Sequence, residues 1–144
     1  MAKQTMSTFQ TVIIEARAHR NLRERIAIAL KDYNLTIMEW ALLGLVNDSQ
    51  DKGVSVSDLA RILDVKTALT SVMVSKQVKA GWLEKIPSEV DNRLRYVKLT
   101  SKGKRNVRVV ELKLRKQLDS LMKDMSDEDV NCYCRITSLF AQLS

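Results

Sequence analysis

The chain has 144 residues, 45% of them apolar, which is enough for one domain with a real core and too much for a disordered chain. Its 24 Lys+Arg against 17 Asp+Glu give a formal charge of +7, which points to an anionic partner. Four glycines and one proline read as mainly helical, while one histidine and two cysteines exclude a disulfide framework and a conventional zinc site.

Residues 6–33 read as a long helix. Ile14, Ala18, Leu22, Ile26 and Leu30 make an i+4 stripe that Tyr33 extends, and Phe9, Ile13 and Ala16 make a second stripe beside it. A helix apolar on two adjacent stripes buries more than one side. His19 lies among Arg17, Arg20 and Arg23 and reads as a surface residue. Thr36-Ile37-Met38-Glu39 has the form of a capping box and opens a second helix, with residues 47–53 as its turn-rich exit. Ser55, with Asp58 three residues on, starts a third helix whose apolar face is Leu59, Ala60, Ile62 and Leu63. After a short turn at 64–66, a fourth helix runs from about Thr67 to Ala80 and stops at Gly81.

Two short helices joined by a tight turn form a helix-turn-helix pattern. On the second of them Thr67, Ser71, Ser75 and Lys79 form a polar row, and Leu69, Met73 and Val74 are expected to point away from it. Residues 67–80 hold no Asp or Glu, so nothing on this helix repels phosphate. Trp82–Ile86 and Arg93–Leu99 read as the strands of a hairpin with Pro87–Asn92 as its loop, which brings Asp91, Arg93 and Arg95 to or near the tip. Thr100 or Ser101 caps the next helix. Along residues 102–125, Val107, Val110, Leu114, Leu118, Leu121 and Met125 are spaced close to a heptad seam. Ser126 with Asp129 caps a last helix, 127–143, with Cys132, Ile136, Leu139 and Leu143 on one face and Val130, Tyr133, Thr137 and Phe140 on another.

The charge is concentrated in the middle of the chain. Residues 1–60 are neutral overall, residues 61–116 carry +10, and residues 117–144 carry −3. A basic centre of this kind suits phosphate binding through counterion release. No apolar run approaches the roughly 18–20 residues of a membrane span, the first ten residues have no signal-peptide core, and the two cysteines fit a reducing cytosol. No Gly-rich phosphate loop or G-x-S-x-G motif is present, so the chain does not read as an enzyme, and no cofactor or metal is expected.

Four motifs stand in order: Leu35-Thr36-x-x-x-Trp40-x-x-Leu43, then Asp58-Leu59-Ala60, then Gly81-Trp82-Leu83-Glu84-Lys85, then Asp91-Asn92-Arg93 followed by Val97-Lys98-Leu99-Thr100-Ser101-Lys102-Gly103. Together they resemble the MarR (multiple antibiotic resistance regulator) family of winged helix-turn-helix proteins, strongly over about residues 33–104 and by pattern outside them. The resemblance implies one mainly α domain over 1–144 with a small β-hairpin wing. Residues 34–103 would form the winged helix-turn-helix, and 1–33 with 104–144 would supply dimerisation helices.

The function that the resemblance implies is that of a homodimeric transcription regulator on a pseudo-palindromic operator in double-stranded DNA, a repressor by default. Lys66, Thr67, Ser71, Ser75 and Lys76 would form the DNA-facing part of the recognition helix, with Lys66, Lys76 and Lys79 on phosphate. Asn92, Arg93 and Arg95 would form the wing contacts, with Asp91 holding the arginine in place. Ile14, Leu22, Leu118, Leu121, Ile136, Leu139 and Phe140 would lie in the dimer seam. A small anionic or phenolic effector is a further implied partner. Gln77 departs from the family pattern, which places an apolar residue there. The alternatives are a winged-helix dimer acting as a protein-interaction module or anti-silencing activator, and a cysteine-based redox sensor. Cys132 falls on an apolar stripe and reads as buried, and Cys134 lies about 200° around the helix from it, so the two do not pair with each other.

Overall fold

The computed structural model describes residues 6–87 and 95–143. In chain order it has α1 (Thr8–Lys31), α2 (Ile37–Asp48), a 3-10 turn (Gln50–Lys52), β1 (Val54–Ser55), α3 (Val56–Leu63), α4 (Thr67–Lys79), β2 (Leu83–Ile86), β3 (Tyr96–Leu99), α5 (Ser101–Leu121) and α6 (Asp127–Ala141). The fold is mainly α with a small antiparallel sheet, as the sequence suggests. The chain divides into two compact units, the first ending at Glu111 and the second starting at Leu112.

Helix starts follow local hydrogen-bond chemistry. Ser7, Thr36, Ser55 and Ser126 each accept from the backbone N–H three residues on. Gln10, Glu39 and Asp129 return a side-chain bond to the cap residue's own N–H, which completes three capping boxes. Thr100 Oγ1 accepts from Gly103 N–H at 2.9 Å and starts α5 in the same way.

Helix ends are equally local. Asn34 and Asp64 both take left-handed backbone, with φ of 54°. Leu35 N–H then reaches back to the Leu30 carbonyl, and Val65 N–H to that of Ala60. At the end of α4 the left-handed residue is Gly81, φ 79°, with Trp82 N–H on the Gln77 carbonyl and Gly81 N–H on that of Val78. This double closure is the Schellman arrangement, and it costs glycine no Cβ strain. Trp82 therefore ends the helix and does not begin β2.

The sheet has three strands in the order β1-β3-β2. The hairpin pairs Leu83 with Leu99 and Ile86 with Tyr96, and β1 adds Val54 opposite Val97 on the other edge of β3. β1 is an addition to the sequence reading, which places residues 47–53 in a turn and begins a helix at Ser55. Gly53, φ 73°, turns the chain into it. The core of the first unit comes from Leu30, Leu42, Leu43, Val46, Leu59, Met73, Val74, Leu83, Val97 and Leu99, all buried. α3 packs on α4, and α4 on β2.

The seam on α5 changes along its length. Val107, Val110 and Leu114 are buried, Leu118 is half-buried, and Leu121 and Met125 are exposed. α5 ends at Leu121, four residues short of the expected end. On α6 no side chain is fully buried: Tyr133, Ile136, Leu139 and Phe140 are all exposed, as is Leu143 just beyond its end. Cys132 is half-buried and Cys134 exposed, so the expectation of a buried Cys132 does not hold within a single chain. α1 buries only Ala29 and Leu30 and half-buries Leu22, leaving Phe9, Ile13 and Ile14 exposed.

Candidate nucleic-acid interface

One face of α4 is held in the core. Met73, Val74, Thr70 and Gln77 are buried, and the Thr70 hydroxyl donates to the Lys66 carbonyl one turn back. Gln77, 1% exposed, occupies the core position that the sequence marks as irregular; the helix keeps its register there. The opposite face is therefore set by elimination. Ala68, Val72, Ser75 and Lys79, at spacings of 4, 3 and 4, are all exposed and run along the middle of that face.

In the first half of α4 this face runs along Ala68 and Val72, where the sequence reading has Thr67 and Ser71. Ser75 and Lys79 keep their places on it. Thr67 is exposed, and Ser71 is half-buried at the margin. Leu69, expected to point inward, is 51% exposed, and Val72 is 65% exposed. Thr70 and Gln77 are polar yet buried, and Leu69 and Val72 are apolar yet exposed, so apolarity alone misplaces the buried arc.

Lys76 does not project as an open groove cation. Its ammonium donates to the Asn34 carbonyl at 2.9 Å and lies 2.9 Å from a Glu39 carboxylate oxygen. Glu39 is 5% exposed and also accepts from Thr36 N–H at 2.8 Å. Lys76 thus ties α4 to the α1–α2 corner. In the single chain this pairing, and not an open groove, holds the Lys76 ammonium that the sequence reading assigns to DNA. No sequence signal pairs it with a capping glutamate 37 residues away.

The other basic groups are spread around the face. Lys66 is the N-cap residue of α4 and is exposed, as are Lys85 on β2 and Arg95 just before β3. Ser71 and Ser75 of α4 line one small recess with Lys85 and Arg95, floored by Val56, Val74 and Val97. The structure therefore brings Arg95, just before β3, beside the α4 serines. A shallow concavity of about 450 Å³ lies along Ser71, Val72, Ser75, Lys76 and Lys79. Asp91, Asn92 and Arg93 lie outside the described residues.

Neighbouring acids are neutralised locally. The Ser55 hydroxyl and the Arg61 guanidinium hold the Asp58 carboxyl below the usual carboxylate value. Lys104 does the same for Asp51 at 2.9 Å. Glu84 faces Lys98 across the hairpin at 3.4 Å. Among the described residues no cluster of three or more His, Cys, Asp or Glu could hold a metal ion, and no helix is long and apolar enough to cross a membrane.

A family model described as the MarR family matches residues 33–94, from the α1–α2 corner into the hairpin. The chain is 32% identical over 104 residues to the transcriptional activatory protein BadR of Rhodopseudomonas palustris; the match takes in 71% of this chain and 59% of BadR. The chain thus spans about three fifths of the length of that curated relative. Among solved structures, a MarR-family transcriptional regulator from Rhodococcus sp. RHA1 superposes with a TM-score of 0.83 at 14% identity, covering 96% of this chain and 97% of that one. A point mutant of MepR from S. aureus, bound to an oligodeoxyribonucleotide, superposes with a TM-score of 0.65 at 16% identity, covering 96% and 100%. At these identities the two structures establish the fold, a winged helix-turn-helix.

Proposed function

The chain belongs to the MarR family of winged helix-turn-helix transcription regulators, and from that membership we propose that it binds double-stranded DNA sequence-specifically as a homodimer. The observation that carries the proposal is the exposed face of α4, which bears no acid and is flanked by Lys66, Lys79, Lys85 and Arg95. α4 enters the major groove, where Ser71 and Ser75 reach base edges and Lys66, Lys79 and Lys85 contact phosphate. Arg95, with Arg93 and Asn92, serves the wing, and Asp91 orients Arg93.

Residues 34–103 are the DNA-binding part, and 1–33 with 104–144 the dimerisation part. The exposed apolar residues of α1 and α6 support the second assignment, since a monomer gains nothing by leaving Ile14, Ile136, Leu139 and Phe140 in water. Two-fold symmetry then calls for half-sites about 10 bp apart. Bound at a promoter, the dimer excludes RNA polymerase.

Selection of genomic fragments with the purified protein, followed by a salt titration on the enriched sequence, tests the reading. A palindromic motif bound far more tightly than random DNA is the expected result. Steeply salt-dependent binding without a motif would make the protein an architectural binder. No binding at low salt would move the basic face to an acidic protein partner. A promoter reporter then reads the sign: lower output with the protein supports repression, and higher output would give it the sign that the name of BadR carries.

A further inference from the structure

The middle of the DNA-facing side of α4 is not polar. The most exposed large apolar side chain of α4 is Val72, with Ala68 one turn before it and Ser75 one turn after. Val72 has no role in the core, because Met73, Val74 and Gln77 fill the buried arc. The Val72 methyls are therefore free to meet a partner surface.

The charges around it identify that surface. Lys66 and Lys79 stand at the two ends of α4, about 20 Å apart along the axis at 1.5 Å per residue. Lys85 and Arg95 lie on the sheet side, beside Ser71 and Ser75. An apolar centre ringed by cations suits a polyanion with an apolar patch between its charges. The major groove of DNA is such a surface wherever thymine presents its C5 methyl between the phosphate rows. An acidic protein surface carries its apolar groups at no fixed spacing from its carboxylates, whereas the groove holds the methyl between two regular phosphate rows.

We infer that Val72 is a specificity residue that reads the C5 methyl of a thymine in each operator half-site. The inference rests on the DNA-binding reading above and extends it to a named base and atom. Ser71 and Ser75 can bond to several base edges and discriminate little by themselves. The methyl contact supplies a discrimination that hydroxyls lack, since cytosine and the purines place no methyl there.

The test uses the full-length protein and duplexes selected by it from a randomised pool. Each thymine of the selected site is replaced singly by deoxyuridine, which removes the methyl and keeps every hydrogen-bonding group. One position per half-site should then weaken binding about fourfold, the weight of burying one carbon. With Val72→Ala the thymine site should bind correspondingly more weakly, and the same deoxyuridine replacement should cost much less. Val72 is exposed, so the variant keeps its fold, and unchanged thermal unfolding confirms it. Equal affinity for every deoxyuridine duplex overturns the inference, as does a Val72→Ala protein that keeps the full methyl dependence. A pool that yields no enriched sequence overturns the DNA-binding reading itself, and this inference with it.

Discussion

Lys76 on α4 and Glu39 on α2 bring opposite charges to within 2.9 Å, although 37 positions separate them in the chain. The same ammonium donates to the Asn34 carbonyl, which the left-handed turn after α1 leaves outside the helix ladder. One side chain thus fixes α4 to the corner where α1 meets α2. Lys76 and Lys79 are one turn apart but only Lys76 has this pairing, so on the proposed function the two should respond differently to salt. For Lys79→Ala the slope of log affinity against log salt should fall by about one, the loss of one phosphate contact. For Lys76→Met the slope should stay unchanged, while stability drops by about 1–3 kcal/mol because Glu39 is left buried without its partner. Parallel titrations and urea unfolding of the two variants decide. A reduced slope for Lys76→Met would place its ammonium on DNA.

Two glycines make opposite predictions. A Cβ on Gly103 would collide with the Trp82 carbonyl oxygen, where α5 starts beside the end of α4. Thr100 holds that junction by donating to the Gly81 carbonyl at 2.6 Å. Gly103→Ala should therefore lower stability by about 1–3 kcal/mol, the usual cost of overpacking. Gly44, inside α2, has nothing within 4 Å of its missing Cβ. Gly44→Ala should raise stability by about 0.5–1 kcal/mol through helix propensity. Chemical unfolding of both variants reads the signs. A neutral Gly103→Ala would show that the junction can open.

What the sequence discloses is mostly local. The caps at Thr36, Ser55 and Ser126 and the stop at Gly81 depend on residues within one turn, and all stand as read. The cap at Ser7 is harder to read because Gln10 returns its bond from an amide, a weaker signal than a carboxylate. β1 escapes a sequence reading because two residues show no alternation, and the strand exists only through its pairing with Val97 and Tyr96. The polar row on α4 departs from the exposed face at Thr67 and Ser71, because Thr70 and Gln77 are polar yet buried while Leu69 and Val72 are apolar yet exposed. Lys76 has no legible place in the sequence, since its partner is fixed by tertiary packing. Arg93 and Asp91, which carry much of the resemblance, lie outside the described residues and are assigned by motif.

Acid should loosen α6 at its first turn. The Ser126 hydroxyl and then its backbone N–H bond to the Asp129 carboxylate and hold it below the usual value of 3.8. A carboxyl with a lowered folded-state pKa adds stability above its unfolded value and loses it as pH falls through the folded one. The cap should therefore be intact at neutral pH and open only below the ordinary carboxylate range. In a carboxyl titration by NMR, Asp129 should have its midpoint below 3.8, and Asp129→Ala should remove the matching pH dependence from the α6 amide shifts. A midpoint at or above 3.8 would show that the capping box does not persist in solution.

Phe140 gives the cleanest test of the dimer. It is 62% exposed in the single chain, on the same helix as exposed Ile136 and Leu139. A charge at an exposed site costs a monomer little. The same charge sealed between two apolar surfaces is left without water or partner and costs several kcal/mol. Phe140→Asp should therefore leave the helical signal intact and shift sedimentation to monomer at micromolar concentration. DNA affinity should fall with it, because two half-sites bound by one linked dimer gain from effective concentration and two separate monomers do not. Leu118→Asp should act in the same direction with some loss of stability, since Leu118 is already half-buried in the single chain. If Phe140→Asp sediments as a dimer, the contact between copies lies elsewhere, and the α6 face has to be removed from the interface.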